Sequence, residues 1–258
     1  MEKKNIAIVT GASGGLGREF VKILAGKDDI SEIWAIARNE DNLNKLRDEY
    51  GDIIRVIPMD LTDRANYERI SELLNAVGVR VRYLVNCAGF AKFCAYDDID
   101  VDVSLNMIDL NVCACVALGL VCLPHMERGD KIINISSQAS FQPLPYQNIY
   151  AATKAFMRFY TRALNVELKE RGITAITVCP GWLSTGLYDR ACIGAEKATN
   201  KFVDMHTPDG AAKKAVKDAD RGEAMSVYAL YTKLTHLASK LVPQSLAMAL
   251  WLMQQHIK

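Results

Sequence analysis

Short apolar runs alternate along this chain with longer stretches whose apolar residues recur every three or four positions. Residues 6–10, 33–37, 53–58, 83–86, 131–135 and 174–179 follow the first pattern and read as strands. Residues 15–25, 42–50, 64–77, 103–128 and 151–171 follow the second and read as helices. The strands are rich in β-branched residues and apolar on both faces, as a parallel sheet covered by helices requires. The alternation predicts repeated βαβ units and an α/β fold of the Rossmann type, a doubly wound parallel sheet. After Pro180 the rhythm changes. Residues 182–223 are polar and helical in parts, with a helix opening at Pro208 and Thr207 as its N-cap. Residues 224–228 read as a last strand, and 234–257 as an amphipathic helical segment interrupted at Pro243. No linker, repeat or low-complexity stretch divides the 258 residues, so one domain is expected.

Composition narrows the classes. Half of the residues are hydrophobic, which is enough for a sizeable core and speaks against large-scale disorder. The formal net charge of +1, with acids and bases interspersed, leaves no footprint for nucleic acid. No secretory leader is read at the start, and no run is read as long enough to span a bilayer. There are seven cysteines, an odd number, with no CxxC pair and no His at zinc-site spacing from Cys113 and Cys115. They are expected to be free thiols in the cytoplasm, with no metal site.

The strongest local signal follows the first strand. Thr10-Gly11-Ala12-Ser13-Gly14-Gly15-Leu16-Gly17 joins that strand to a helix. Gly11 permits a sharp turn, Gly15 admits a pyrophosphate close to the backbone, and Gly17 lets the helix pack tightly. The helix N-terminus offers unpaired N–H groups and the positive end of its dipole to the anion. Gly11, Ser13, Gly14, Gly15, Leu16 and Gly17 are therefore candidate contacts to a dinucleotide. About twenty residues on, the second strand ends in Ala37-Arg38, where an acid would read a free ribose hydroxyl. The Arg38 guanidinium suits a 2′-phosphate, which favours NADP(H) over NAD(H). The competing reading makes Arg38 a solvated loop residue and gives the ribose to Glu40 or Asp41.

With the residues that follow in order, this set resembles the short-chain dehydrogenases/reductases, in their single-domain branch. The resemblance runs from residue 5 to about 187 and more loosely beyond. Residues 10–17 look like the TGxxxGxG turn, and Asp60, followed by Leu61, looks like the acid that touches adenine. Asn86-Cys87-Ala88-Gly89 resembles the NNAG motif, with Cys87 in place of the second Asn; Asn86, Ala88 and Gly89 keep their positions. Asn111, Ser137, Tyr150 and Lys154 match the catalytic tetrad, and Pro180-Gly181 with Thr185 matches the segment that holds the nicotinamide carboxamide. The resemblance implies about seven strands in the order 3-2-1-4-5-6-7, and a homodimer or homotetramer built largely from helices flanking the site. It also implies that Asn111 holds a water in a proton relay to Lys154.

The chemistry fits. Tyr150 and Lys154, four apart, share one face of a helix. A phenol near pKa 10 is a poor acid or base at neutral pH, and an adjacent ammonium is expected to lower it. Tyr150 then moves the proton while hydride moves at carbon. Ser137, just past a strand, donates to the developing oxyanion; Ser136 is the competing choice, with spacing to Tyr150 that fits the family less well. Phe90, Phe141, Tyr146, Trp182, Leu187 and Ser137 are expected to line the substrate side, with Phe93, Leu144, Leu183 and Tyr188 nearby. That apolar set suits a lipophilic carbonyl or alcohol such as a steroid, bile acid or long acyl chain. Lys92 and Arg190 leave open an anionic tail, and a small polar or sugar-like carbonyl is the alternative. The segment from Leu241 to Ile257 has three readings: cover of the substrate cleft, subunit interface, or membrane surface, the last disfavoured by its low positive charge. A non-catalytic NADP(H)-binding regulatory protein is the alternative of another class, although such proteins generally lose the Tyr or the Lys. Epimerases and dehydratases of this kind tend to be longer.

Overall fold

The structure, a computed structural model, describes residues 3–194, Thr199 and 201–257. In chain order the elements are β1 (Asn5–Thr10), α1 (Gly15–Ala25), β2 (Glu32–Ala37), α2 (Glu40–Tyr50), β3 (Ile54–Pro58), α3 (Ala65–Val77) and β4 (Arg80–Asn86). They continue with α4 (Val101–Ile108), α5 (Ala114–Cys122), β5 (Lys131–Ile135), α6 (Asn148–Glu167) and β6 (Thr174–Cys179). The last are α7 (Leu187–Ala191), α8 (Pro208–Asp220), β7 (Met225–Val227), α9 (Leu230–Ala238) and α10 (Gln244–Gln254). All seven strands are parallel and lie in the order β3-β2-β1-β4-β5-β6-β7. The doubly wound Rossmann-type sheet expected from the sequence is what the chain forms.

The two-sided apolar strands explain themselves in the packing. Ala7 and Val9 of β1 point to the face covered by α1 and α8, where Phe20, Val21, Leu24, Ala211, Ala212 and Ala215 are buried. Ile6 and Ile8 point to the other face, against Ile70, Leu74, Ala114 and Leu118 of α3 and α5. Burial of each such Leu, Ile or Phe contributes about 1.5–3 kcal/mol. The helices begin and end as their residues dictate. Asn39 caps α2, its side-chain oxygen accepting from the Asn42 N–H at 2.8 Å. Thr207 does stand at the N-cap position of α8, but its hydroxyl donates to Asp209 at 2.6 Å instead of capping the helix.

Three expectations are adjusted. β4 starts at Arg80, three residues early, because Arg80 and Val81 extend the pairing to β1 across a bulge. The stretch read as one helix over 103–128 divides: α4 and α5 are joined by a π-helical turn, Asp109–Cys113, and the helix gives way at Leu123–His125. The C-terminal segment forms two helices around Pro243, the first starting at Leu230.

The run Val101–His125 also corrects the expectation that nothing here reaches bilayer length. Among the described residues it is the one helix long and apolar enough to cross a membrane. Its length does not make it a span. One side, with Met107, Asn111, Ala114, Cys115, Leu118 and Cys122, is buried in the fold, and a core helix of that kind passes the same test. All seven cysteines are free. Burial pushes several thiols up, Cys87 and Cys122 to about 12, so they remain protonated.

Candidate active site

The parallel register brings the carboxyl ends of β1, β4, β5 and β6 to one edge, and the sequence places its polar motifs there. After β1 the chain turns at Gly11, with φ +65°. A Cβ at Gly17 would lie 2.1 Å from the Gly11 carbonyl oxygen, so α1 packs onto the turn only because residue 17 has none. Gly14 is the N-cap of α1 and no side chain caps the helix, while Gly14 and Gly15 are exposed. The first-turn N–H groups are thus open to an anion. Thr10 Oγ1 accepts from the Cys87 and Ala88 N–H groups, both at 3.0 Å, which ties this turn to the one after β4. Thr185 lies against Gly15, so the segment after Pro180 and Gly181 reaches over the same cradle. These features fit a dinucleotide pyrophosphate.

The adenosine end has two candidate groups. Arg38 is exposed at the end of β2. Burial alone would raise the Asp60 carboxyl, but hydrogen bonds from the Thr62 N–H and hydroxyl, with the Arg38 guanidinium nearby, hold it below the ordinary carboxylate range. Glu40 and Asp41 occupy the first turn of α2. Leu16 and Leu61 are buried core residues. Asn86 is buried, its Nδ2 donating to Asn134 Oδ1 at 2.8 Å; Asn134 in turn donates to Thr161 of α6. That buried chain of polar groups locks α6 onto the sheet.

On α6, Tyr150 and Lys154 come together as the spacing requires, the amine 5.7 Å from the phenol ring centroid. Lys154 Nζ donates to the Ile135 carbonyl at 2.9 Å, and Ser136 Oγ donates to the Lys154 carbonyl at 2.7 Å. Ser136 is therefore committed to the backbone of α6. Ser137 stands beside Tyr150, its oxygen accepting from the Ala139 N–H at 3.1 Å. Asn111 sits in the π turn and is fully buried. It accepts from the Phe90 N–H at 3.0 Å and donates to the Phe90 carbonyl and to Thr153 Oγ1, clamping the turn after β4 to α6. The π turn supplies the extra residue that aims Asn111 inward. Burial acts first on both titrating groups and in opposite directions. It pushes the Tyr150 phenol well above its ordinary value, with Tyr188 adding and the Ser137 hydroxyl opposing, and it pulls Lys154 down. Lys154 does not bring the phenol down as expected.

Tyr150 and Ser137 open onto a cavity of about 190 Å³. Leu144, Trp182 and Tyr188 form part of its wall. Tyr231, Thr235, Ala238 and Val242 close it from α9 and the following turn, and Ala247, Leu250, Trp251 and Gln254 from α10. Trp251 Nε1 donates to the Pro145 carbonyl at 3.0 Å, fastening the cover to the loop ahead of Tyr150. Behind Tyr150 stands Phe93, ring centroids 5.6 Å apart, packed in turn on Trp182 and Tyr188.

A family model described as short chain dehydrogenase matches residues 5–192, from the phosphate turn through Tyr150 and Lys154. The chain belongs to the short-chain dehydrogenase family. It is an oxidoreductase of that family, similar at 29% identity over 200 residues to an uncharacterised oxidoreductase of Staphylococcus epidermidis, covering 76% of this chain and 85% of that one. It is similar at 29% over 222 residues to a very-long-chain 3-oxoacyl-CoA reductase of Anas platyrhynchos, covering 81% of this chain and 67% of that one. A short-chain dehydrogenase from Sphingobium yanoikuyae, solved in complex with NADPH, superposes with a TM-score of 0.76 at 26% identity, covering 94% of this chain and 95% of that one.

In this short-chain dehydrogenase the substrate-side residues named from sequence do not all meet. Ser137 and Trp182 line the cavity; Phe90, Phe141, Tyr146 and Leu187 do not. Phe141 is buried with Cys179 and Val227, against His236 at 4.6 Å between ring centroids. Phe90 and Leu187 pack into the aromatic cluster behind the site. Tyr146 takes a left-handed backbone at φ +64° on the loop before α6. Lys92 donates to the Ile193 carbonyl, and neither Lys92 nor Arg190 lines the cavity. Of the three readings of the C-terminal segment, cover of the cleft fits the residues that line the cavity, while Leu241, Leu246 and Met253 stay exposed. The signal for it was present in the sequence: residues 231, 235, 238 and 242 repeat at helical spacing, as do 247, 250, 251 and 254.

Proposed function

We propose that this short-chain dehydrogenase uses NADP(H) to interconvert a ketone and a secondary alcohol on a largely apolar substrate. The observation that carries the reading is the placement of Tyr150 and Ser137 side by side on the wall of a covered, mainly apolar cavity, at the same sheet edge as the glycine turn. When bound, the nicotinamide supplies or accepts the hydride. Gly11 to Gly17 and the first-turn N–H groups of α1 hold the pyrophosphate. Arg38 pairs with the 2′-phosphate, and Asp60 takes the adenine edge. Pro180, Gly181 and Thr185 hold the carboxamide end. The Tyr150 phenol gives its proton to the substrate oxygen in reduction, while the Ser137 hydroxyl steadies that oxygen. Lys154 and Asn111 hold the phenol in place, through the Ile135 carbonyl and through Phe90 and Thr153. The α9–α10 cover excludes water.

NADP(H) is supported by Arg38 and by the NADPH bound to the Sphingobium yanoikuyae relative. A lipophilic substrate is supported by Leu144, Trp182, Val242, Leu250 and Trp251 around the cavity, and by the long-chain acyl substrate that the Anas platyrhynchos relative is named for. Tyr150→Phe tests the central point. NADPH consumption with a panel of lipophilic ketones should fall by about 10²–10⁴-fold, while NADPH binding by fluorescence titration holds within a few-fold. Substantial remaining turnover removes Tyr150 from the reaction. In the same titration, Arg38→Asp should weaken NADPH binding by roughly tenfold or more and leave NADH binding little changed. We further propose a homo-oligomer, joined through the apolar surface of α4 to α6.

A further inference from the structure

Two glutamines of the cavity are left with business unfinished. Gln147 lines the cavity and is 1% exposed. It occupies the N-cap position of α6, three residues ahead of Tyr150, yet its side chain caps nothing. The amide nitrogen donates to Thr199 Oγ1 at 2.7 Å, which leaves the amide oxygen as the free end. The other end, Oε1, is buried and has no hydrogen-bond partner among the described residues. Gln138, the residue after Ser137, repeats the arrangement: it lines the same cavity, and its buried Oε1 also has no partner among the described residues. A buried acceptor with no donor is unfavourable and rare. Two of them flanking one apolar cavity, next to the same two reacting side chains, call for a donor supplied from outside the chain.

We infer that the cavity reads a hydrogen-bond donor on the substrate, a hydroxyl or an amide N–H carried on the apolar body apart from the reacting carbonyl, through Gln147 Oε1, with Gln138 Oε1 as the second acceptor. The inference rests on the carbonyl–alcohol reading of the site and sharpens it. A bare hydrocarbon ketone leaves both oxygens unpaired. A carboxylate or phosphate placed there meets two carbonyl oxygens and is repelled. The substrate class is therefore a donor-bearing lipophilic ketone, such as a hydroxy-ketone, with any anionic group held away from these two oxygens. The preference arises because a site built to pair a hydroxyl discriminates strongly against the analogue without it.

The test uses the full-length protein with NADPH and a matched set: 2-octanone, 2-octanones carrying a hydroxyl at successive carbons, and the corresponding methoxy compounds. At least one hydroxy-ketone should exceed 2-octanone in kcat/KM by about tenfold or more, and its methoxy counterpart should not. Gln147→Met should bring that ratio down to about one, chiefly through the KM of the hydroxy-ketone. Gln147→Glu, which keeps an acceptor, should retain a preference for the hydroxyl. Thermal melts of each variant establish that it is folded. A wild type that prefers the plain or methoxy ketone, or a Gln147→Met variant that keeps the ratio, overturns the inference while the redox reading stands. If no ketone is reduced although NADPH binds, the redox reading falls. Calorimetric binding of the corresponding diols against mono-alcohols then decides the subsite by itself, equal affinities overturning it.

Discussion

Tyr150 holds its proton more tightly than a free phenol, and the direction of that shift has a kinetic consequence. Burial raises the phenol, so the protonated form persists through neutral and mildly alkaline solution. Reduction uses the phenol as donor. Its rate should hold level from about pH 6 to 9 and decline only as the pH climbs through the raised pKa. Oxidation needs the phenolate, whose share grows by about tenfold for each pH unit below that pKa. Alcohol oxidation by NADP⁺ should therefore climb across the same range. Initial rates in both directions, followed at the nicotinamide absorbance, check this; an oxidation rate that is already level at pH 7 contradicts a raised phenol. At this scale the sequence was highly legible. Tyr150 and Lys154 are four apart on one helix, and residue 17 must be glycine because a Cβ there would collide with the Gly11 carbonyl. Burial was not legible. The expectation that Lys154 lowers Tyr150 weighed neighbouring charge and omitted the desolvation that dominates both groups.

Elements were legible where their residues decide them locally and obscure where distant packing does. The doubly wound parallel sheet follows from two-sided apolar strands and βαβ rhythm, and its strand order from the family resemblance. The π turn at Asp109–Cys113 leaves no mark on the apolar spacing, because one added residue per turn disappears inside a run that is apolar nearly all round. The substrate wall was missed for a related reason: Trp251 meets Pro145 across 106 positions of sequence, whereas Phe141, close to Ser137 in the chain, turns to the far side of its loop. The cover has its own signature in kinetics. α9 and α10 bury little beyond Thr232, Ala247 and Trp251, so the bond from Trp251 to Pro145 is a principal anchor. Trp251→Phe keeps much of the apolar surface and loses that bond, a change of about 0.5–1.5 kcal/mol. The KM for a lipophilic ketone should rise by roughly two- to tenfold, with a smaller change in kcat and in the KM for NADPH. A fall in NADPH affinity equal to the rise in ketone KM would mean that the helix supports the whole fold and does not serve the substrate side alone.

For the whole molecule, the decisive feature is where apolar surface is left uncovered. Leu105 and Ile108 of α4, Leu120 of α5, and Phe156, Phe159 and Val166 of α6 are exposed, on helices whose opposite faces form the core and hold Asn111, Tyr150 and Lys154. Exposed apolar residues of this kind on a protein with a balanced charge favour association. The proposed partner is a second copy of the chain. The helices that would meet there also carry the reacting groups, so association should steady the site as well as the fold. Light scattering coupled to gel filtration should give twice or four times the chain mass. The double variant Leu120→Glu with Phe159→Glu places four like charges across a two-fold contact, and should shift the mass toward one chain. Its melting temperature should become lower and lose its dependence on protein concentration. NADPH turnover should fall with the mass, because the π turn and α6 lose a supporting face while Tyr150 and Lys154 remain in the sequence. A wild-type mass of one chain at micromolar concentration would separate the exposed face from self-association.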